Sequence, residues 1–337
     1  MVILATTPKP AELQRPDDKD LLSLNELVAA FIDVQVPETT ALLAVLGELV
    51  DDDVLRDRCR RAVDARNDSL PGWLAELAQT SVHRAVRMID VFGDGEELLL
   101  GVRLADGQEM TCAVYIDHLM MSEVQDAFFL PETIDKVLTV AIASQSDPDT
   151  SFVETGLPEA RARLQKSLND PLAMFLLEES DTWPACRALV QWLGRLMPEG
   201  DSEVHAPQQD STDSAPLLNR FFASLVGMPF DDPNHRELLE LCIDEGAGDP
   251  LRWSAARLRQ LLNAAAADPE DIPAELQLDL PELLRAFVPF AHAESGIRQE
   301  LTAEALAAIA EGADGYRAEV LAEADYWDDE EDDDEPV

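Results

Sequence analysis

The chain is poor in basic residues. Its 337 residues include 25 lysines and arginines against 68 aspartates and glutamates, which gives a formal net charge of -43 at pH 7. Lysine is the scarcer cation and is present only as Lys9, Lys19, Lys136 and Lys166. Because nucleic-acid affinity depends on cations that displace counterions from phosphates, this deficit excludes direct nucleic-acid binding as the expected function.

Long apolar runs are also absent. The longest, such as Leu27–Ile32 and Ala41–Leu46, are a third or less of the roughly 18 residues that a membrane-spanning helix requires. The residues from Met1 onward lack the basic and apolar regions of a secretory signal. The cysteines stand more than fifty positions apart, at Cys59, Cys112, Cys186 and Cys242. We therefore predict a cytoplasmic protein with reduced thiols and no membrane partner.

Local catalytic motifs are missing as well. The chain contains no GxSxG nucleophile elbow, no phosphate-binding P-loop and no GxGxxG fingerprint. No two of its five histidines lie within five residues of each other, so the HxxxH spacing of a local zinc site does not occur. The local motifs therefore predict no catalytic residue, no cofactor and no metal ligand.

Apolar residues nevertheless make up 46% of the chain, which is enough for substantial cores, and the length suggests two domains. Helical spacing predicts helices within residues 20–80. Alternating apolar residues on either side of Asp106-Gly107 then predict a β-meander of three to four antiparallel strands at 81–130, with Val124–Leu130 as the fourth. Residues 144–156, rich in Ser, Asp, Pro and Thr, predict a connecting loop. Further helices within 131–197 are expected at Pro158–Leu168, Pro171–Glu179 and Trp183–Met197.

Residues 198–216 contain almost no large aliphatic side chain and predict a flexible linker. Beyond it, helical spacing predicts an all-α domain at 217–327. Its expected helices are Leu217–Val226, Asn234–Asp244, Leu251–Ala266, Glu282–Ala293, Thr302–Ala310 and Tyr316–Ala324. The predicted fold class is therefore α+β and mostly helical, with an N-terminal α+β domain at 1–197 and a helical C-terminal domain.

The negative charge is graded toward the C-terminus. Residues 201–337 hold 8 basic and 33 acidic residues, a net charge of -25. The final acidic run repels itself and predicts an extended, disordered tail at 328–337. An aromatic residue beside such a run is typical of short docking segments. The predicted partner-binding residues are Trp327, Asp328, Asp329, Glu330, Glu331, Asp332, Asp333, Asp334 and Glu335.

These features favour a non-enzymatic cytoplasmic protein that binds a basic protein, or a basic surface of a larger assembly, through its acidic C-terminal half. Long-range attraction raises the association rate with such a partner and weakens as salt is added. A nucleic-acid mimic that competes for a basic protein is one alternative. Adaptation to high salt, which implies no partner, is another.

A hydrolase is the alternative from a different functional class. Asp117-His118, at the end of a predicted strand, could join Glu123 or Asp126 in a metal-dependent or carboxylate-based site. Turn chemistry explains the same residues without catalysis. A second polar group comprises Asp231, Asp232, His235 and Glu237, for which helix capping suffices.

Two further patterns have simple structural explanations. Asp94 and Glu96, separated by a glycine, resemble a fragment of a calcium loop, but a hairpin turn accounts for them. The third predicted helix carries an arginine cluster that could bind a phosphate or an acidic peptide. Ion pairs between residues four positions apart are the favoured explanation of the cluster, and its members are Arg56, Arg58, Arg60, Arg61 and Arg66.

Three apolar helical stretches begin at Trp253, Leu283 and Leu301, and together they span roughly the second domain. Their pattern resembles that of uncharacterised proteins of high-GC actinobacteria, as does the hairpin region from Arg87 to His118. The resemblance implies a soluble bacterial protein of the cytoplasm and brings no activity with it.

Overall fold

The computed structural model of the chain describes residues 23–119, 122–144, 147–168, 182–200, 214–245, 249–263 and 272–333. The chain divides into two compact units. Unit 1 comprises residues 1–89 and 95–206, and unit 2 comprises residues 90–94 and 207–337. The division after residue 206 falls inside the segment for which a linker is predicted, although residues 201–213 lie outside the described residues.

Unit 1 contains the sheet. Its helices are α1 (Leu24–Asp33), α2 (Pro37–Leu49), α3 (Asp53–Asp64), the single turn α4 (Gly72–Ala75), α5 (Ile134–Ser144), α6 (Leu157–Leu168) and α7 (Trp183–Leu196). Its strands are β1 (Ser81–Asp90), β2 (Gly95–Arg103), β3 (Glu109–Asp117), β4 (Glu123–Leu130) and β5 (Thr150–Thr155). The helix predicted at Pro171–Glu179 lies outside the described residues.

The N-terminus of α1 is fixed by the predicted capping box. The Ser23 backbone amide donates to Glu26 Oε2 over 2.8 Å, and the Glu26 amide donates to Ser23 Oγ over 3.3 Å. Apolar residues of α1 to α3 then pack into a small core of their own, formed by Val28, Leu43, Leu46, Val50, Leu55 and Cys59.

The sheet has five strands in the order β4-β3-β2-β1-β5. The predicted antiparallel meander is confirmed for β1 to β4, including the fourth strand. The number of strands is corrected, because β5 lies beside β1 within the segment predicted to be a loop. As an edge strand with several exposed positions, β5 shows little of the apolar alternation that reveals a half-buried strand.

Both faces of the central strands are covered. One face, with Leu98 and Leu100 of β2, packs against α6 and α7. On the other face, Leu99 of β2 and Ala113 of β3 pack against Ile134 and Leu138 of α5. The sequence predicts a hairpin with one buried face; the run of three leucines at 98–100 reflects burial on both.

Several arginines of unit 1 hold helix C-termini, where carbonyl groups lack partners within the helix. Arg66 donates to the carbonyls of Phe31, Ile32 and Val34 at the end of α1. Arg195 donates to the carbonyls of Glu48 and Leu49 at the end of α2, in both cases over 2.9 Å. Each guanidinium satisfies several acceptors at once, which a lysine ammonium group cannot do with the same geometry.

Unit 2 is helical throughout its described residues apart from turns, which confirms the predicted all-α C-terminal part. Its helices are α8 (Ser214–Phe222), α9 (Pro233–Glu245), α10 (Ala255–Asn263), the single turn α11 (Ala274–Gln277), α12 (Leu280–Ser295) and α13 (Gln299–Asp333). They enclose an apolar core that includes Phe221, Leu239, Leu258, Phe287 and Tyr316. None of the described helices of either unit is long and apolar enough to cross a membrane.

A single helix, α13, replaces the two helices predicted at Thr302–Ala310 and Tyr316–Ala324. Gly312 and Gly315 suggest a break between them, but both lie inside the continuous helix. A Cβ atom at Gly312 would come within 3.1 Å of the Leu262 side chain, so this glycine permits close packing of α10 on α13. A Cβ atom at Gly315 would meet nothing within 4 Å.

Candidate functional site

The residues predicted to bind a partner lie at the end of α13. The helix includes the backbone from Trp327 to Asp333, six residues into the segment for which the sequence predicts a disordered tail. Extending an existing helix by one residue costs far less than nucleating a new one, so the backbone can continue despite the adjacent like charges. Asp334 and Glu335 lie outside the described residues.

An exposed acidic face precedes this segment on α13. Its carboxylates recur at intervals of four, seven and three positions, which places them on one side of a helix. The side chains of Glu300, Glu311 and Asp314 are at least 70% exposed. We call this set, Glu300, Glu304, Glu311 and Asp314, the acidic face.

The arginines of unit 2 are already engaged. Each of the eight contacts a carboxylate or, for Arg236, lies 4.6 Å from the centre of the Phe222 ring. The ion pairs are Arg220–Glu294, Arg252–Asp249, Arg257–Asp94, Arg259–Glu311, Arg285–Glu282, Arg298–Glu300 and Arg317 with Glu282 and Asp314. Eight cations cannot neutralise the 33 acidic residues that follow position 200, so unit 2 keeps a strong negative potential.

Unit 2 also exposes a short apolar loop at residues 225–228. Leu225, Val226 and Met228 are 88%, 52% and 58% exposed. The loop is held by its own backbone, since the Met228 amide donates to the Ser224 carbonyl over 2.9 Å and the Gly227 amide donates to Ser224 Oγ over 3.1 Å. A Cβ atom at Gly227 would lie 2.1 Å from the Phe221 carbonyl oxygen, so only glycine fits there.

The residues of the predicted Asp117-His118 site do not converge on one point. Asp117 accepts a hydrogen bond from the Leu119 amide over 2.9 Å, which is turn chemistry. Asp126 accepts from the Ala127 amide and from the Thr182 hydroxyl. Within the described ranges, no three His, Cys, Asp or Glu side chains are arranged as a metal site requires. His118, however, joins a different set of residues.

That set surrounds Glu96, a buried carboxylate of β2. Glu96 points to the same face of the sheet as Leu98 and Leu100, and it is 2% exposed. Arg87 of β1 and Arg163 of α6 bring guanidinium nitrogens within 3.0 and 3.3 Å of Oε2. His118 Nε2 lies 4.0 Å from the same oxygen. We call these residues, Glu96, Arg87, Arg163 and His118, the Glu96 cluster.

Opposing effects determine the pKa of Glu96. Burial is the largest single effect, and it raises this pKa. The interaction with His118 and the charges of Arg163 and Arg87 together outweigh burial, so the pKa of Glu96 is lowered. Glu96 is therefore ionised at neutral pH, at a place in the core where an unpaired charge would be strongly unfavourable.

On its other side, His118 contacts Ser122. Its Nδ1 atom is 2.9 Å from Ser122 Oγ, in the turn between β3 and β4. The His118 side chain is 21% exposed and so reaches solvent. A hydroxyl, an imidazole and a buried carboxylate thus follow one another in space, an order that suits proton transfer from the hydroxyl to the ring.

The second polar group predicted from the sequence is also divided. Asp232 accepts from the Asn234 amide over 2.8 Å, as expected for a residue at a helix start. His235 turns instead to Asp279, with 3.3 Å between Nε2 and Oδ2. Asp279 is 42 positions or more from the predicted residues and was not part of the prediction.

The arginine cluster of α3 and the Asp94–Glu96 pattern form ion pairs within the protein. In α3, Arg60 pairs with Glu48 of α2 over 3.1 Å and Arg56 pairs with Asp53, so the expected pairs four positions apart do not account for them. Asp94 accepts from Arg257 Nε over 2.6 Å within unit 2. Since Asp94 and Glu96 are each held by arginine, they do not form a calcium loop.

The cysteines are poor candidates for a catalytic nucleophile. None of the four, all of which lie among the described residues, forms a disulfide, and Cys59, Cys112 and Cys242 are buried. Burial raises the pKa of the Cys59, Cys112 and Cys186 thiols, which disfavours the reactive thiolate at neutral pH.

Sequence reasoning missed the Glu96 cluster because its members are distant along the chain. One signal was available. Side chains alternate between the two faces of a strand, so Glu96 lies on the same face of β2 as Leu98, Leu100 and Val102, and this acidic residue therefore occupies an inward-facing position. A buried carboxylate requires cationic partners, but the alternation does not indicate which arginines supply them.

Comparison of the chain with protein-family models, with curated proteins and with solved structures finds no match. The resemblance to actinobacterial proteins therefore stays a prediction, and any function has to be argued from the residues themselves.

Proposed function

We propose that the protein binds a basic macromolecule through unit 2, and that this partner is a protein or a basic surface of a larger assembly. The observation that carries the proposal is the exposed acidic face of α13 in a unit with a large excess of carboxylates: Glu300, Glu311 and Asp314 each contact one arginine, and 33 acidic residues face 8 basic ones after position 200. Such a surface attracts a cationic partner over several ångströms and orients it before contact.

The length of α13 supports the same proposal. At about 1.5 Å per residue, its 35 residues extend about 52 Å. The acidic residues at 328–333 belong to this helix, so they continue it beyond the acidic face. A helix presents its charges with less loss of conformational entropy on binding than a disordered tail does.

The exposed apolar loop at 225–228 is a second place on unit 2 where a partner could bind. Charge complementarity mainly accelerates association, whereas affinity comes largely from a few apolar anchors that become buried. Leu225 and Met228 are large, exposed and held on a rigid backbone, so they are suited to that role.

A nucleic-acid mimic is the less favoured form of this function. The four carboxylates of the acidic face span 14 residues, which is about 21 Å along the helix. Double-stranded DNA carries one charge about every 1.7 Å along its axis. The described acidic face is therefore several times sparser than the polymer that a mimic would imitate.

A pull-down from cell lysate at low and moderate salt tests the proposal. The bait is the full chain, and the test variant removes four charges with Glu300→Gln, Glu304→Gln, Glu311→Gln and Asp314→Asn. The matched control removes four exposed charges of unit 1 with Asp33→Asn, Asp57→Asn, Asp64→Asn and Glu76→Gln. We expect basic proteins to be retained by the wild type and the control, and to be lost with the test variant.

Two further baits separate the components. Deletion of residues 328–337 should weaken retention and reduce its salt dependence, because fewer charges then contribute. The pair Leu225→Ser and Met228→Ser should weaken retention without changing its salt dependence. Equal retention by the test variant and its control, or no retained basic protein, would contradict the proposal.

A further inference from the structure

The Ser122 backbone adopts an unfavourable conformation. Its φ angle is 60°, and among the described residues it is the one non-glycine residue with a positive φ. Glycine adopts this left-handed conformation without a steric penalty, whereas serine does not. The turn between β3 and β4 therefore holds a serine at a position that glycine would fit better.

The side chain has a specific partner in this strained position. Ser122 Oγ lies 2.9 Å from His118 Nδ1, which is a normal hydrogen-bond distance. The other ring nitrogen, Nε2, faces Oε2 of Glu96 at 4.0 Å. Because the two contacts use opposite nitrogens, the imidazole lies between the hydroxyl and the carboxylate.

This placement favours one tautomer of the His118 ring. The negative charge of Glu96 favours a proton on Nε2, which leaves the Nδ1 lone pair free to accept the Ser122 hydroxyl proton. Arg87 and Arg163 hold the Glu96 carboxylate between them, so its position beside the ring is fixed. A nucleophile, a base and an orienting carboxylate arranged in this order define a nucleophilic site by geometry rather than by sequence motif.

We propose that Ser122, His118 and Glu96 form an esterase-type site in unit 1, with Ser122 as the nucleophile. Ser122 Oγ bonds to the acyl carbon of an ester while its proton passes to His118 Nδ1. The bond from carbon to the leaving oxygen then breaks, and the alcohol departs with that proton. Water repeats the sequence: its proton passes to His118, its oxygen bonds to the acyl carbon, and the carboxylic acid leaves as Ser122 regains the proton.

Charge restricts the substrate class. Asp117 lies next to His118 in the chain, and residues 81–200, which contain the site, hold 20 acidic against 9 basic residues. An anionic ester would be repelled on approach. The site therefore takes a carboxylic ester without negative charge, and it differs in unit and in chemistry from the partner-binding surface proposed for unit 2.

An uncharged fluorophosphonate tests the nucleophile directly. Such a probe reacts with an activated serine by forming an oxygen–phosphorus bond and releasing fluoride, and the adduct is located by peptide mass spectrometry. We expect one adduct per chain, on Ser122, and none in Ser122→Gly. The His118→Gln variant should react about 100-fold more slowly or worse, as expected for loss of a general base. Ser151→Ala, a change at an exposed serine of β5, serves as the control and should label like the wild type.

Thermal unfolding shows whether the Ser122→Gly variant is folded, so that a loss of labelling can be assigned to the missing hydroxyl. Ser122→Gly should unfold at a higher temperature than the wild type because it relieves the positive φ, so its loss of labelling cannot come from misfolding. Folded wild-type protein that gives no adduct on Ser122 overturns the proposal. Equal labelling rates for the wild type and His118→Gln overturn it as well.

Discussion

Glu96 of unit 1 and His292 of unit 2 are both buried, but Glu96 is charged at neutral pH and His292 is not. Glu96 is 2% exposed and keeps its charge, because two guanidinium groups lie beside it. His292 is 1% exposed, and burial lowers its pKa to about 4, so it is uncharged at neutral pH. Its side-chain partner is the neutral hydroxyl of Thr302, at 3.0 Å. The partner, rather than burial alone, decides whether an enclosed group stays ionised.

The largest expected effect comes from removing the charge of Glu96. Glu96→Gln removes the carboxylate that Arg87 and Arg163 share, so that Arg87 loses its ion pair and Arg163 keeps only the one with Glu159, and should lower the free energy of unfolding of unit 1 by about 3–5 kcal/mol. Hydrogen exchange of the β2 and β3 amides measures this loss. The exposed pair Glu132–Lys136 provides the control, since Glu132→Gln should change the free energy by no more than about 0.5 kcal/mol. If the two substitutions lowered the free energy of unfolding equally, the buried Glu96 would contribute no more to stability than an exposed ion pair.

Acidification should affect His292 before Glu96. The folded pKa of His292 is about 4, against an ordinary value of 6.5, so between these pH values the unfolded chain takes up a proton that the folded chain does not. The free energy of unfolding should therefore fall by about 3 kcal/mol as the pH drops through this window. For Glu96, whose pKa is lowered from 4.5, the corresponding loss begins only below that value.

Urea unfolding at pH 7 and pH 4.5 compares the wild type with His292→Gln, which keeps a polar side chain but does not titrate. The variant should lose much less stability on acidification, and exchange of the α12 amides assigns the difference to unit 2. The same drop in both proteins would show that His292 does not control the response.

The smallest expected effects come from two glycines of α13, and they distinguish close packing from helix propensity within unit 2. Gly312→Ala should destabilise the unit by about 1–3 kcal/mol, because the new methyl group meets Leu262. Gly315→Ala should stabilise it by about 0.5–1 kcal/mol, since the position has open space and alanine favours the helix. Thermal unfolding of the two variants measures both changes, and shifts of the same sign would refute the role given to Gly312.

Local patterns predicted the elements whose signal lies within a few residues. The capping box at Ser23 and the alternation around Leu98 and Leu100 are of this kind, and both were confirmed. The helices predicted at Thr302–Ala310 and Tyr316–Ala324 are one helix in the structure, and Gly312 inside it admits the neighbouring Leu262 side chain, a contact that the local sequence does not reveal.

The candidate sites were less predictable than the fold. His118 follows the end of β3, as the predicted strand implies, but its expected partners, Glu123 and Asp126, were chosen for nearness in the chain. Its contacts are Ser122 and Glu96, and the second depends on the register of β2 against β3. The partner-binding role of the acidic C-terminal half stays a prediction.

The cationic side chains that stabilise the described fold of unit 1 are arginines, and this has a practical consequence. Arg66 and Arg195 cap helices, and Arg87 and Arg163 hold Glu96, whereas the described lysines, Lys136 and Lys166, lie at exposed positions of α5 and α6. Reagents that modify amines will therefore label Lys136 and Lys166 without touching the arginines that cap helices or hold Glu96. They will also leave unit 2 unmarked, because no lysine follows position 166, so cross-linking of a partner to that unit must proceed through its carboxylates.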